Sequence, residues 1–123
     1  MLRDILFVAG GSALGGVLRL LAGRLVKSHV QAIFPWPTFL VNLLGCFAIG
    51  WIYGWAARQP QFRPELLLML TTGICGGFTT FSAFAYENIL LMRTGAYLTA
   101  LSYVAFSVIG GLLATWAGML SAR

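Results

Sequence analysis

The stretch Thr71–Glu87 reads TTGICGGFTTFSAFAYE and sits inside an apolar segment running from about Leu66 to Met92. Its hydrophobicity suits a membrane interior, yet its middle winds poorly as a helix. Gly73, Gly76 and Gly77 are weak helix formers, and Thr79, Thr80 and Ser82 compete for backbone hydrogen bonds. As one straight helix the segment would reach about 40 Å, more than a hydrocarbon core of about 30 Å requires. A break near Gly76 to Thr80 answers both problems. In a bilayer such a break survives only where protein, water or an ion satisfies the freed backbone groups, so it marks a candidate site. Freed carbonyls attract a cation. Hydroxyls, amides and the positive rims of aromatic rings attract an anion.

The surrounding composition agrees with a membrane setting. Of 123 residues, 59% are hydrophobic and only 9% charged, which excludes an ordinary soluble domain. The net charge of +5 comes from Lys and Arg scattered singly, so nucleic-acid binding has no basic run to rest on. Most of these cations sit at the ends of apolar segments, as in a polytopic membrane protein. Cys46 and Cys75 fall within apolar segments at no metal-type spacing and read as small packing residues. The first apolar stretch continues past signal-peptide length and reads as a span.

Four spans are predicted, at about residues 5–26, 37–57, 66–92 and 97–120, forming one domain without linker or internal repeat. In the first, Gly11 and Gly15 make a small-xxx-small face that admits a close backbone. Arg19 lies about 12 Å inside Lys27 along a helix axis, where a charge costs about 2.5–3.5 kcal/mol on insertion scales. It either snorkels toward Arg24 and Lys27 or raises the anion concentration in a wet vestibule. His29 reads as a solvated loop residue. The second span opens on Pro35-Trp36-Pro37 and carries Asn42, which serves as glue between helices or as an amide donor to an anion, with Thr38 one turn away. Gly50 and Gly54 give another close-packing pair.

Past the break, Phe81, Phe84 and Glu87 recur every three residues and share one helical face. Glu87 is expected near the interface, within reach of Arg93. In the fourth span Thr99, Tyr103, Ser107, Gly111 and Thr115 fall at steps of four, and four of the five carry a hydroxyl. Such a stripe suits a protein neighbour or a water-lined path better than lipid.

Four spans put both termini and the second loop on one side, with Arg3, Arg58, Arg63 and Arg123. The other side holds Arg24, Lys27 and Arg93, plus Arg19 if it snorkels that way. This balance leaves almost no preferred orientation under the positive-inside rule. A chain inserted both ways can form an antiparallel two-fold dimer, and the glycine faces suit such packing. The fold class is therefore an all-α membrane protein of four transmembrane helices, the third broken mid-membrane, assembled as an antiparallel dual-topology homodimer.

The run GICGGFTTFSAF, with the early Arg19, Asn42 in VNLLG, Glu87 and a glycine-rich fourth span, resembles the Fluc (CrcB) fluoride channels over essentially the whole chain. The resemblance implies a dual-topology homodimer in the cell inner membrane with two fluoride pores, exporting cytoplasmic fluoride passively to relieve its toxicity. Phe81 and Phe84 match the paired phenylalanines that meet fluoride with their ring edges, Asn42 the pore asparagine, and Tyr103 a supporting tyrosine. Ser82, Ser107 and Thr115 match parts of a polar track, and Arg19 the vestibule arginine. Gly76 and Thr79 match positions whose backbone carbonyls hold a central structural Na+. Ala83 and Gly111 depart from the pattern, where members carry Thr or Ser. The alternative is a proton-coupled small multidrug-type transporter, which needs a deep first-span carboxylate that this chain lacks. A membrane enzyme would need a convergent acid, base or metal set, and one His with three acids does not supply one.

Overall fold

The computed structural model describes residues 1–123. Helix α1 spans Leu2–His29 and α2 spans Trp36–Ala56, with Pro37 in its first turn where a missing N–H costs nothing. The third span, Pro64–Arg93, is composite: α3 (Pro64–Leu68), a π-helical run (Met69–Cys75), α4 (Gly76–Phe78), two extended residues, then α5 (Phe81–Arg93). Helix α6 spans Tyr97–Ser121, entered through a turn whose Gly95 has φ +83°, a conformation that favours glycine. All four spans are long and apolar enough to cross a membrane, and the chain is a multi-pass membrane protein. At 28 residues α1 is about 42 Å long, so it crosses a core of about 30 Å at a tilt or projects beyond it.

The break falls within the expected stretch but is narrower than residues 76–80. The glycines alter the winding without ending it: Gly73 lies in the π-helical run, while Gly76 and Gly77 remain α-helical. The chain leaves helical space at Thr79 (φ −82°, ψ 158°) and Thr80 (φ −150°, ψ 116°), where hydroxyls and outside partners replace the helical bonds. His29 corrects the loop expectation. It is the last residue of α1, exposed, with Nδ1 2.9 Å from the Leu25 carbonyl oxygen.

Helix α2 packs most extensively on α6, and α1 lies along the π-helical run and α4. Both pairings depend on missing side chains. A Cβ on Gly15 would overlap the Ile74 carbonyl oxygen, and one on Gly50 the Thr115 carbonyl oxygen. The small-residue faces therefore act inside one chain, not as free surfaces for a partner. At one end of the bundle Arg3 pairs with Glu65 at 3.4 Å, bringing the start of α1 to the start of α3. At the other, Phe34, Phe39, Phe84 and Ala96 pack around buried Leu91, Ala100 and Tyr103.

Substituting alanine at Gly15 is expected to lower stability in detergent by about 1–3 kcal/mol through overpacking. Gly10→Ala, with open space around it, is expected to raise stability by up to about 1 kcal/mol through helix propensity. Thermal melts of the two variants check the contrast, and equal shifts would contradict the packing described.

Candidate functional site

The site is built from the peptide groups that the broken helix releases. Thr80 loses both helical neighbours, and Asn42 of α2 takes their place. The Thr80 N–H donates to Asn42 Oδ1 at 2.8 Å, and Asn42 Nδ2 donates to the Thr80 carbonyl at 3.1 Å. One carboxamide thus imitates a strand partner for one residue. Thr80 also caps α5: the Ala83 N–H donates to its Oγ1 at 3.1 Å, and Ser82 Oγ lies 3.3 Å away. On the other side of the break, Cys75 O accepts from both the Thr79 N–H and the Thr79 hydroxyl, each at 2.9 Å. Arg19 of α1 reaches the remaining group, donating from Nη1 to the Thr79 carbonyl at 3.2 Å. It neither snorkels to the rim nor pairs with an acid.

The two halves of the span present opposite polarity to this point. The C-terminal end of α4 offers carbonyls, and Gly76 O loses its i+4 donor because the Thr80 N–H is turned onto Asn42. The N-terminal end of α5 offers amides beside Phe81 and Ser82. A groove of about 540 Å³ opens here, lined by Asn42, Gly76, Thr79, Thr80, Phe81, Phe84 and Ser107 among others. Cys46 and Cys75 are among its lining residues, with Cys75 buried and the Cys46 sulfur packed beside Gly111.

The phenylalanines differ in how they are held. The Phe84 ring meets Tyr103 edge to face at 4.9 Å, while Phe81, 79% exposed on the single chain, lies 5.6 Å from Phe84. Beneath them Glu87 accepts from the Thr38 hydroxyl at 2.6 Å and from the Tyr103 hydroxyl at 2.7 Å. This replaces the expected approach to Arg93: the carboxylate ties α2 to α6 through α5. Tyr103 is fully buried and Ser107 Oγ is buried without a partner.

Not every anticipated residue converges. Thr115 meets Gly50 through its main chain and does not line the groove, and Ser82 is exposed beside the Thr80 cap. Arg19 lines a separate small cavity of about 60 Å³ with Gly23, Pro37, Thr38, Val41 and Thr80. Asn88 is a residue the sequence reading passed over. It is 6% exposed, donates from Nδ2 to the Phe84 carbonyl at 2.9 Å, and leaves Oδ1 unpartnered. Its signal was available, as a carboxamide inside an apolar span.

A family model described as "CrcB-like protein, Camphor Resistance (CrcB)" matches residues 6–119. The chain belongs to the CrcB family. Relatives within reach of the whole chain bear the name "Fluoride-specific ion channel FluC". That of Flavobacterium psychrophilum is 43% identical over 99% of this chain and 98% of its own. That of Gloeobacter violaceus is 42% identical over 100% and 98%, and that of Chlorobium chlorochromatii 44% over 97% and 92%. The family match covers all four spans, the broken one included.

Replacing Asn42 by Ala removes both partners of Thr80 and is expected to cost about 2–4 kcal/mol, the sum of two weakened or unmade bonds. Asn42→Asp keeps an acceptor for the Thr80 N–H but sets a carboxylate against the Thr80 carbonyl, so it should recover little. Thermal or denaturant unfolding in detergent measures both, and a neutral Asn42→Ala would dismiss the clamp.

Proposed function

We propose that this chain is a fluoride-selective passive ion channel, working as an antiparallel dual-topology homodimer with two pores. The observation that carries the reading is the groove beside the broken span, where Asn42, Phe81, Phe84 and Ser107 meet. The printed name of the full-length relatives supplies the ion. A groove with unpaired polar groups at membrane depth is costly against lipid. A second copy of the chain would cover it, and the nearly even charge balance between the two faces suits insertion in both directions.

Fluoride is small and strongly hydrated, so a pore must offer close substitutes for lost water. One N–H of the Asn42 amide remains after Thr80 is served, and the Ser107 hydroxyl is unspent. The edges of Phe81 and Phe84 add weaker positive contacts of about 1 kcal/mol each, by analogy with aromatic-edge pairs. Several weak sites in series suit conduction better than one deep trap. Tyr103 supports this row by holding Phe84 and Glu87. Ser82 and Thr115 join the path only if the second copy brings them to it.

The Gly76 and Thr79 carbonyls would hold a central sodium ion: Gly76 O has lost its helical donor at the negative end of α4, and Thr79 O keeps a second lone pair beside the one that Arg19 engages. Bound there, the ion would supply fixed positive potential between the pores. In a cell inner membrane the inside-negative potential drives the anion outward, so passive conduction amounts to export that relieves fluoride toxicity. The reading assigns no enzymatic reaction to the chain.

Liposomes containing the purified protein are expected to release fluoride to an electrode while retaining chloride and a cationic dye. Phe81→Ile and Phe84→Ile are each expected to abolish that release while the dimer still elutes intact. Undiminished fluoride release from both variants would remove the pore assignment.

A further inference from the structure

Helix α1 carries Gly11, Gly15 and Arg19 at steps of four, which places them on one face. The two glycines bring that face against the backbone of the π-helical run: a Cβ on Gly11 would lie 2.5 Å from the Met69 carbonyl oxygen, and one on Gly15 would overlap that of Ile74. The next residue on the face, one turn on, is Arg19, and it meets the break. Its Nη1 donates to the Thr79 carbonyl at 3.2 Å. The donor this carbonyl would have in a continuous helix is the Ala83 N–H, which instead serves Thr80 Oγ1. Arg19 has no acidic partner, since Asp4 faces the N-terminus, Glu65 pairs with Arg3 and Arg63, and Glu87 accepts from Thr38 and Tyr103. A cation that only enriched anions in a mouth would not need to sit on a carbonyl at the break.

We propose that Arg19 is a positioning residue: its guanidinium holds the Thr79 carbonyl and thereby fixes the direction in which α5 leaves the break, aiming Phe81 and Phe84 at the groove. Asn42 holds the following peptide from α2, so two neighbouring helices grip successive residues of the interruption. The role refines the channel reading given above, on which its efflux arm rests; the backbone-exchange arm stands independently of any transported ion.

The test separates position from charge. Gly23 lines the same small cavity one turn further along α1 and has open space for a side chain. Arg19→Gln/Gly23→Arg therefore restores the charge to the cavity without returning it to Thr79. With the full chain in lipid nanodiscs, Arg19→Gln is expected to speed amide hydrogen exchange at Thr80 and Ala83 at least tenfold, leaving α2 and α6 unchanged. In liposomes it should slow fluoride efflux at least tenfold at saturating fluoride, and the double variant should recover neither property. Recovery of efflux by Gly23→Arg, unchanged exchange at the break, or acceleration throughout the protein would each overturn the proposal. Should Arg19→Gln fail to fold, Arg19→Lys keeps the charge on a shorter stem with a single-point donor. It is expected to loosen the same two amides, and wild-type exchange and efflux in it would equally overturn the role. Absence of fluoride efflux from the wild type would reject the channel reading alone, leaving the exchange result to decide the role of Arg19.

Discussion

A peptide group pulled out of helical winding at membrane depth has no water to fall back on, and the rest of this structure is arranged around that constraint at Thr79 and Thr80. The Thr79 N–H keeps its helical acceptor, Cys75 O, but the other three main-chain polar groups of the two residues lose theirs. Each of the three finds a replacement: Asn42 for the Thr80 N–H and carbonyl, Arg19 for the Thr79 carbonyl. Leaving even one unmade would cost about 1–3 kcal/mol. At Thr79 and Thr80 the interruption is thus a partnered feature rather than a frayed one, and it draws α1 and α2 to the same point while leaving Gly76 O without its helical donor.

Interrupting the helix also divides its dipole. Carbonyls accumulate at the end of α4 and amides at the start of α5, so opposite partial charges face a common region without any added acid or base. That arrangement is compatible with a fixed cation and mobile anions close together, which a continuous helix would not provide. Glu87, the one carboxylate deep in the site, has its oxygens engaged by the hydroxyls of Thr38 and Tyr103. Those bonds occupy one acceptor site on each carboxylate oxygen and, through Tyr103, brace the Phe84 ring.

Close approach of backbones is the second ingredient. Because Gly11 and Gly15 lack side chains, α1 can press against the π-helical run, and because Gly50 lacks one, α2 can press against Thr115 of α6. These contacts stiffen the frame on both sides of the break while the groove between them stays open. In a single chain Phe81 projects from that opening, and under the dimer proposed here a second copy would enclose it.

The number of spans, their approximate limits and the existence of an interruption were legible in the chain itself, because apolar length and the poor winding of glycine and threonine are local properties. Arg19 and Asn42 stood out for the same reason, as polar groups where lipid tolerates few. What each of them touches was decided only by tertiary structure. Arg19 meets a residue 60 positions away, Asn42 one 38 away and Thr38 one 49 away. Such pairings depend on the rotation and depth of one helix against another, which small-residue packing sets and no local periodicity encodes. Hence Glu87 turned toward Thr38 and Tyr103 rather than Arg93, and the glycine faces closed on neighbours in the same chain.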